Sequence, residues 1–189
     1  MIRKPTLDAF SDDQILLRRV QLTDLGTVYD SVRASLPELQ TTMPWASAAY
    51  SHSDAADWLA RTWLSWSSGS AFEFLITAID GGRMLGLVGL NAVDAATGRA
   101  NLGYWVRSDE TGRGVCTAAA RMVAHFGFEE LELSRIRLYH VVENIGSQRV
   151  AEKVGFVLEG RQRARVACSG QLQDTLLYSL IDPSEIRDD

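Results

Sequence analysis

Residues 101–128, NLGYWVRSDETGRGVCTAAARMVAHFGF, decide how the rest of the chain is read. An apolar run at 102–106 reads as a strand and enters the polar turn 108–111. Gly112-Arg113-Gly114 follows, and then Val115, Ala119, Met122, Val123 and Phe126 recur on one helical face. A strand that passes through glycines into a helix suits an anion. Glycines let the backbone approach closely, free N–H groups point outward, and the helix dipole adds partial positive charge. Arg113, inside the turn, can reach a phosphate. The alternative is a plain strand-to-helix connector, and the stretch alone leaves both open. It is neither a P-loop, since no Gly-Lys-Ser/Thr follows, nor a dinucleotide fingerprint, since a third glycine is missing.

Strand-like runs at 71–80 and 83–93, separated by the hairpin signal Gly81-Gly82, precede this stretch; with 102–106 they make three consecutive antiparallel strands. After the helix, residues 135–143 (RIRLYHVVE) form another strand, parallel to the one before because a helix lies between them. Asn144 ends it. Residues 147–154 form a short helix closed by Gly155. Strands at 156–159 and 172–181 follow, joined by an arginine-rich connection, and the tail 182–189 reads as frayed. Upstream, 1–14 is polar and lies over the surface, and 15–21 is a first strand. Thr23 caps a helix over 23–35, which Leu36-Pro37-Glu38 interrupts. Ser53 caps a second helix that runs through Trp58, Leu59, Thr62 and Trp63 towards Trp66.

No repeat or linker divides the 189 residues, so 1–189 reads as one domain. Net charge is −5, which gives no electrostatic case for direct nucleic-acid or membrane binding. Cys116 and Cys168, with His52, His125 and His140, fall in no metal-ligand spacing, so no metal is expected. No signal-peptide core and no membrane-length apolar run occurs, and the expected setting is cytoplasmic. Helical spacing makes Trp58 and Trp63 core residues, whereas Trp45, in a loop beside Pro44, either walls a substrate pocket or plugs a gap. The tryptophan-rich flank permits a homodimer.

This order of elements resembles the GNAT superfamily of acetyl-CoA-dependent N-acetyltransferases, from about residue 15 to residue 181. Tyr104-Trp105-Val106 followed by Thr111-Gly112-Arg113-Gly114-Val115-Cys116 is similar to the family's pyrophosphate motif, Gln/Arg-x-x-Gly-x-Gly/Ala. Asn144-Ile145-Gly146-Ser147 and Glu152-Lys153-Val154-Gly155-Phe156 are similar to its Asn-x-x-Ser…Glu-Lys-x-Gly-Phe segment, typical of the Rim-type branch that acetylates ribosomal-protein N-termini. Thr111 and Cys116 depart from the pattern, at positions where backbone N–H groups hold the phosphates. Cys116 reads as a small packed residue or as a thiol acidified by the helix.

The resemblance implies an α/β (α+β) fold: a mixed, mostly antiparallel sheet of about seven strands with helices on both faces. A central parallel pair would splay after Val106 for acetyl-CoA, the acetyl donor. Tyr104, Trp105 and Val106 would then line the pantetheine arm, and the N–H groups from Arg113 to Thr117 would meet the pyrophosphate, with Thr111, Gly112 and Lys153 in the same site. Asn144 would hold the arm. Val106 N–H would face the developing oxyanion, and Ser147 would serve the departing thiolate. Tyr139 and Tyr178 are alternative proton donors. Asn144 and Ser147 read equally as a strand end and a helix cap. The acceptor is an amine, either a protein N-terminus or a small molecule; a non-catalytic CoA-binding module is the third reading. Trp45, Asn91 and Asp174 are candidates for contact with it. The general base is open among Glu73, Glu143, Asp174 and a water chain. The basic run Arg161–Arg165 argues against a strongly cationic acceptor.

Overall fold

The computed structural model describes residue 5 and residues 7–80, 82–168 and 170–187. Its strands are β1 (Ala9–Ser11), β2 (Ile15–Arg19), β3 (Phe72–Ala78), β4 (Met84–Asp94), β5 (Arg99–Val106), β6 (Arg135–Val141), β7 (Val157–Cys168) and β8 (Gln171–Leu180). Its helices are α1 (Leu25–Ala34), α2 (Leu36–Thr42), α3 (His52–Ser68), α4 (Val115–Glu129) and α5 (Ile145–Val154). The strands form one sheet in the order β1-β2-β3-β4-β5-β6-β8-β7. Among the described strands only β5 and β6 run parallel, because α4 carries the chain across between them.

Side chains alternate across each strand, so the sheet has two apolar faces. Phe72, Phe74, Val88, Leu90, Leu102, Ile136 and Leu138 pack with α4 and α5. Leu75, Leu87 and Trp105 pack under Val28 and Val32 of α1, Leu36 and Leu39 of α2 and Leu59 of α3.

The feature that positions the site is a break in pairing. β5 and β6 share rungs only from Arg99↔Arg135 to Asn101↔Arg137. Beyond that, β5 stays on β4 as far as Val106↔Gly86, and β6 stays on β8 as far as Val141↔Thr175. The gap therefore opens past Asn101, several residues earlier than the sequence places it. Each strand follows its antiparallel neighbour, and the second neighbour of residues 102–106 leaves no mark on their composition.

Other expectations are corrected. The 1–14 segment contains β1, which makes eight strands among the described residues; Phe10 anchors it against Phe74 and Phe126, at 5.1 and 5.7 Å between ring centroids. Asp24, rather than Thr23, organises the first helix. A 3-10 turn covers Leu22–Asp24, and the Asp24 carboxylate accepts from Gln21 N–H at 2.8 Å and from both Arg18 Nη atoms at 2.9 and 2.7 Å. The first helix does stop before Leu36-Pro37-Glu38, at Ala34, but a second helix restarts at once with Pro37 in its first turn, which needs no proline N–H. Ser51, not Ser53, caps α3 through a reciprocal box with Asp54. The arginine-rich connection is part of β7, an edge strand whose alternation is blurred by exposure on both sides. Of the Gly81-Gly82 signal, Gly81 lies outside the described residues, as do residues 1–4, 6, 188 and 189.

The tail is docked rather than frayed over its described part: Ile186 is buried, and Arg187 N–H donates to the Val154 carbonyl at 3.0 Å. Gly155 makes this docking possible. Its φ is +107°, and a Cβ there would run into the Glu185 carbonyl. Gly155→Ala should therefore lower stability by about 2–4 kcal/mol. Urea unfolding would read this as a lower midpoint with an unchanged slope.

Candidate active site

The Arg107 N–H bond to the Leu85 carbonyl, 2.8 Å, sets the phase of the β4–β5 ladder. Antiparallel bonding alternates, so Leu102, Tyr104 and Val106 turn their N–H groups away from β4; the parallel rung Asn101↔Arg137 takes up the first, and those of Tyr104 and Val106 face the gap. These are the donors that an extended chain laid between β5 and β6 meets, as an added strand does.

Beyond the open end of the gap lies the glycine turn. Gly112 and Gly114 have φ of +75° and +83°, which bring the backbone round into α4. Glu110, almost fully buried, pins the turn by accepting from Arg83 at 2.8 Å and Arg113 at 3.1 Å. A groove there is lined by Arg113, Gly114, Thr117, Arg149, Lys153 and Arg187. Helix N-terminus and cations together suit a multiply charged phosphate ester. Thr111 turns away, its hydroxyl donating to the Ser108 carbonyl at 3.0 Å. Val115 is packed in the core. Burial pushes the Cys116 thiol up to about 12, opposite to the acidified reading.

A cavity of about 750 Å³ joins the gap to the α1–α3 face. At the gap, Asn144 Oδ1 accepts from Ser147 N–H at 3.0 Å, so Asn144 is the cap of α5 and Ser147 is not. That leaves the Ser147 hydroxyl for another partner, and it lies 2.8 Å from the Tyr104 hydroxyl. Burial holds the Tyr104 phenol protonated far above its ordinary range. His140, 6% exposed, donates from Nδ1 to the Val141 carbonyl at 2.8 Å, and burial lowers its pKa and keeps it neutral.

The far end of the cavity has a glycine floor. Register places Glu73, Gly89 and Gly103 side by side on one face of the sheet, with Asn91 and Asn101 on the next rung of that face. The Glu73 carboxylate lies over Gly89, where a Cβ would strike it. Desolvation alone raises its pKa to about 7. Trp45, Tyr50, Trp58, Trp105 and Tyr139 supply aromatic walls.

Of the three carboxylates considered as base, Glu73 alone lines this cavity. Glu143 is exposed on the surface. Asp174 accepts from Ala164 N–H at 2.8 Å and Arg161 Nε at 2.7 Å, which hold its pKa down, and it is not among the residues that line the cavity. Tyr178 is core, stacked on His140, while Tyr139 stays on the cavity wall with Arg165 over its ring. Trp45 and Asn91 both line the cavity. Trp63 is 50% exposed and Trp58 faces the cavity, so Trp66 is the helix tryptophan that enters the core. Sequence reasoning missed Asn101, His140, Arg149, Arg187 and the Gly89–Gly103 floor. Only the period-2 alternation of β4 and β5 could have shown that Asn91, Gly89, Gly103 and Asn101 share a face.

The family model of the acetyltransferase (GNAT) domain matches residues 14–157. The chain belongs to this family. The Bacillus subtilis (strain 168) protein YdaF is 36% identical over 100 residues, a match covering 53% of this chain and 55% of YdaF. The ribosomal-protein-serine acetyltransferase of Escherichia coli (strain K12) is 24% identical over 173 residues, covering 92% and 96%. The solved structure of RimL, a ribosomal L7/L12 alpha-N-protein acetyltransferase in complex with coenzyme A, shares the fold with a TM-score of 0.85 at 21% identity, over 92% of this chain and 97% of that one.

Proposed function

We propose that this chain transfers an acetyl group from acetyl-CoA to a primary amine, and that the amine is the α-amine at a protein N-terminus. The observation that carries this reading is the run of unpaired β5 N–H groups leading from a cationic groove to a carboxylate of pKa about 7. Acetyl-CoA supplies an activated acyl group on a thioester. The groove residues would hold its phosphates, and the N–H groups of Tyr104 and Val106 its arm. The residues present fit this elongated anionic ester from end to end, and among the described residues no cluster of metal-ligating side chains occurs.

Glu73 takes the proton that an ammonium must lose before it can attack. An α-ammonium has a pKa of about 8 and a lysine ammonium about 10.4. Transfer to a carboxylate near 7 is therefore uphill by only about one unit for the first and about three for the second. That difference favours an N-terminal amine over a lysine side chain or polyamine. The E. coli relative's named substrate, a ribosomal-protein serine, agrees with this choice. Val106 N–H stands at the mouth of the gap, where it meets the arm. Ser147, oriented by the Tyr104 hydroxyl, gives a hydrogen bond to the leaving sulfur.

Calorimetric titration with acetyl-CoA and CoA, with NADH as comparison, tests the donor site. Mass spectrometry of peptides with free N-termini tests the acceptor. Saturable binding of both thiol nucleotides and single acetylation of the α-amine are expected; binding of neither overturns the reading. Ser147→Ala should lower kcat by about 10–100-fold with acetyl-CoA affinity unchanged, and Tyr104→Phe should act in the same direction.

A further inference from the structure

We propose that Arg165 is an acceptor-binding residue that pairs with a carboxylate carried one or two residues behind the attacking amine, so that peptides with acidic N-terminal segments are the preferred acceptors. The inference deepens the amine-transfer reading and rests on it. Arg165 belongs to β7, and β8 lies between β7 and β6 in the sheet. Its guanidinium nevertheless stands 4.9 Å from the centre of the Tyr139 ring, on β6. A bulge makes this reach possible. β7 and β8 keep register up to Gln162↔Thr175 and again from Val166↔Gln173, so Arg163, Ala164 and Arg165 are set against Asp174 alone. Ala164 takes a φ of +49°, a conformation that alanine rarely adopts, and its N–H donates to the Asp174 carboxylate at 2.8 Å. Bulges of this kind bend their strand and re-aim a side chain, often beside a binding site. Asp174 is thus a positioning residue for Arg165.

The surroundings of Arg165 say what it binds. The parallel rung Asn101↔Arg137 puts Tyr139 on the same face as Gly103 and level with it, across the gap. Tyr139, Thr175 and Val166, from the neighbouring strands β6, β8 and β7, line the cavity. Arg165, over one of these residues and next in sequence to another, stands at the cavity rim across the gap from the glycine floor. Arg161 is bonded to Asp174, whereas Arg165 has no carboxylate partner among the described residues. The α3 side of the cavity is charged the other way, since Asp54 and Asp57 line it with one cation, Arg61. An anion brought into the cavity is repelled from α3 and drawn to Arg165. An amine over the floor is separated from Tyr139 by more than one strand spacing, about 4.8 Å. An extended chain advances about 3.4 Å per residue, so a carboxylate on the second or third residue covers the distance. A lysine at the same place meets like charge.

The test measures turnover of the full chain with four peptide amides: Ser-Ala-Ala-Ala, Ser-Glu-Ala-Ala, Ser-Ala-Glu-Ala and Ser-Lys-Ala-Ala. The better glutamate peptide should have a KM about threefold to tenfold below that of the alanine peptide, and the lysine peptide a KM above it. The difference should fall in KM, because the ion pair forms in ground and transition states alike. Raising the ionic strength from about 0.05 to about 0.5 M should shrink it. Arg165→Ala should bring the glutamate-to-alanine ratio to about one, and Arg165→Glu should reverse the order in favour of the lysine peptide. A merely structural role would slow all four peptides alike. Asp174→Ala, which releases the bulge, should lower the ratio in the same direction as Arg165→Ala. If Arg165→Glu does not fold, Arg165→Ala and the salt series carry the comparison. A wild type that acetylates all four peptides without charge preference, or a glutamate preference that survives loss of Arg165, overturns the role of Arg165 and leaves the amine-transfer reading standing. A wild type that binds acetyl-CoA yet acetylates none of the peptides overturns both.

Discussion

Glu73→Gln is expected to lower kcat/KM for acetyl transfer by about 10²–10⁴-fold, the range lost when a positioned general base is removed. The wild-type profile should rise with pH through about 7, the value burial sets for this carboxyl, and then level off. The glutamine variant should show no such limb. Acetyl-CoA affinity should be unchanged, because Glu73 lies on the glycine floor away from the phosphate groove. Stability moves the other way from rate. The folded-state pKa is raised, so the carboxyl's contribution to stability is fully present below its unfolded value and is lost as pH rises through about 7. At pH 8 the variant, which buries no charge, should unfold at a midpoint no lower than that of the wild type. A slow enzyme that is equally or more stable cannot be explained as a damaged fold. An unaltered pH–rate profile would instead assign the proton to a water chain.

The second large effect is expected at the glycine turn. Gly114 stands at φ +83°, ψ −8°, immediately before the first residue of α4. Proline is held near φ −65° and has no N–H, so Gly114→Pro reverses the local backbone and deletes a donor in one step. The first free N–H groups of α4 then point elsewhere. Acetyl-CoA affinity should fall by more than about 100-fold, the loss of two or more charge-assisted bonds. Gly114→Ala is the milder companion. It keeps the N–H and meets open space, so its cost is confined to the unfavourable φ, with a weakening of about threefold to tenfold. Equal affinities across wild type, alanine and proline variants would remove the phosphate assignment from this turn.

Much of the fold was legible because its signals are local. The Gly112-Arg113-Gly114 turn, the face of α4 and the Gly155 stop need only neighbouring residues to be read, and all stand where the sequence puts them. The caps at Asp24 and Ser51 were misread by one and two positions, because several capping residues stand together and only side-chain geometry chooses among them. The acceptor site was the least legible part. Its floor is two glycines from different strands, whose meaning depends on register, and its proposed base stands out by desolvation, which no spacing encodes. Asp174 and Glu143 looked as suitable as Glu73 until the structure showed one tied to Arg161 and the other on the surface. The Ser147–Tyr104 hydroxyl pair was half visible. The Asn144…Ser147 pattern indicated the α5 start, but the hydroxyl contact with Tyr104 spans 43 positions.

The three shared rungs between β5 and β6 mean that the sheet is nearly two sheets. One leaf holds β1 to β5, and the other holds β6, β8 and β7. They are bound like the covers of a book along a short spine at residues 99–101 and 135–137, with α4 laid across the back. Under the proposed acetyl-CoA reading, an arm laid between the covers would bond to both, a bookbinder's stitch as well as a reactant, adding a second tie where the sheet itself supplies three rungs.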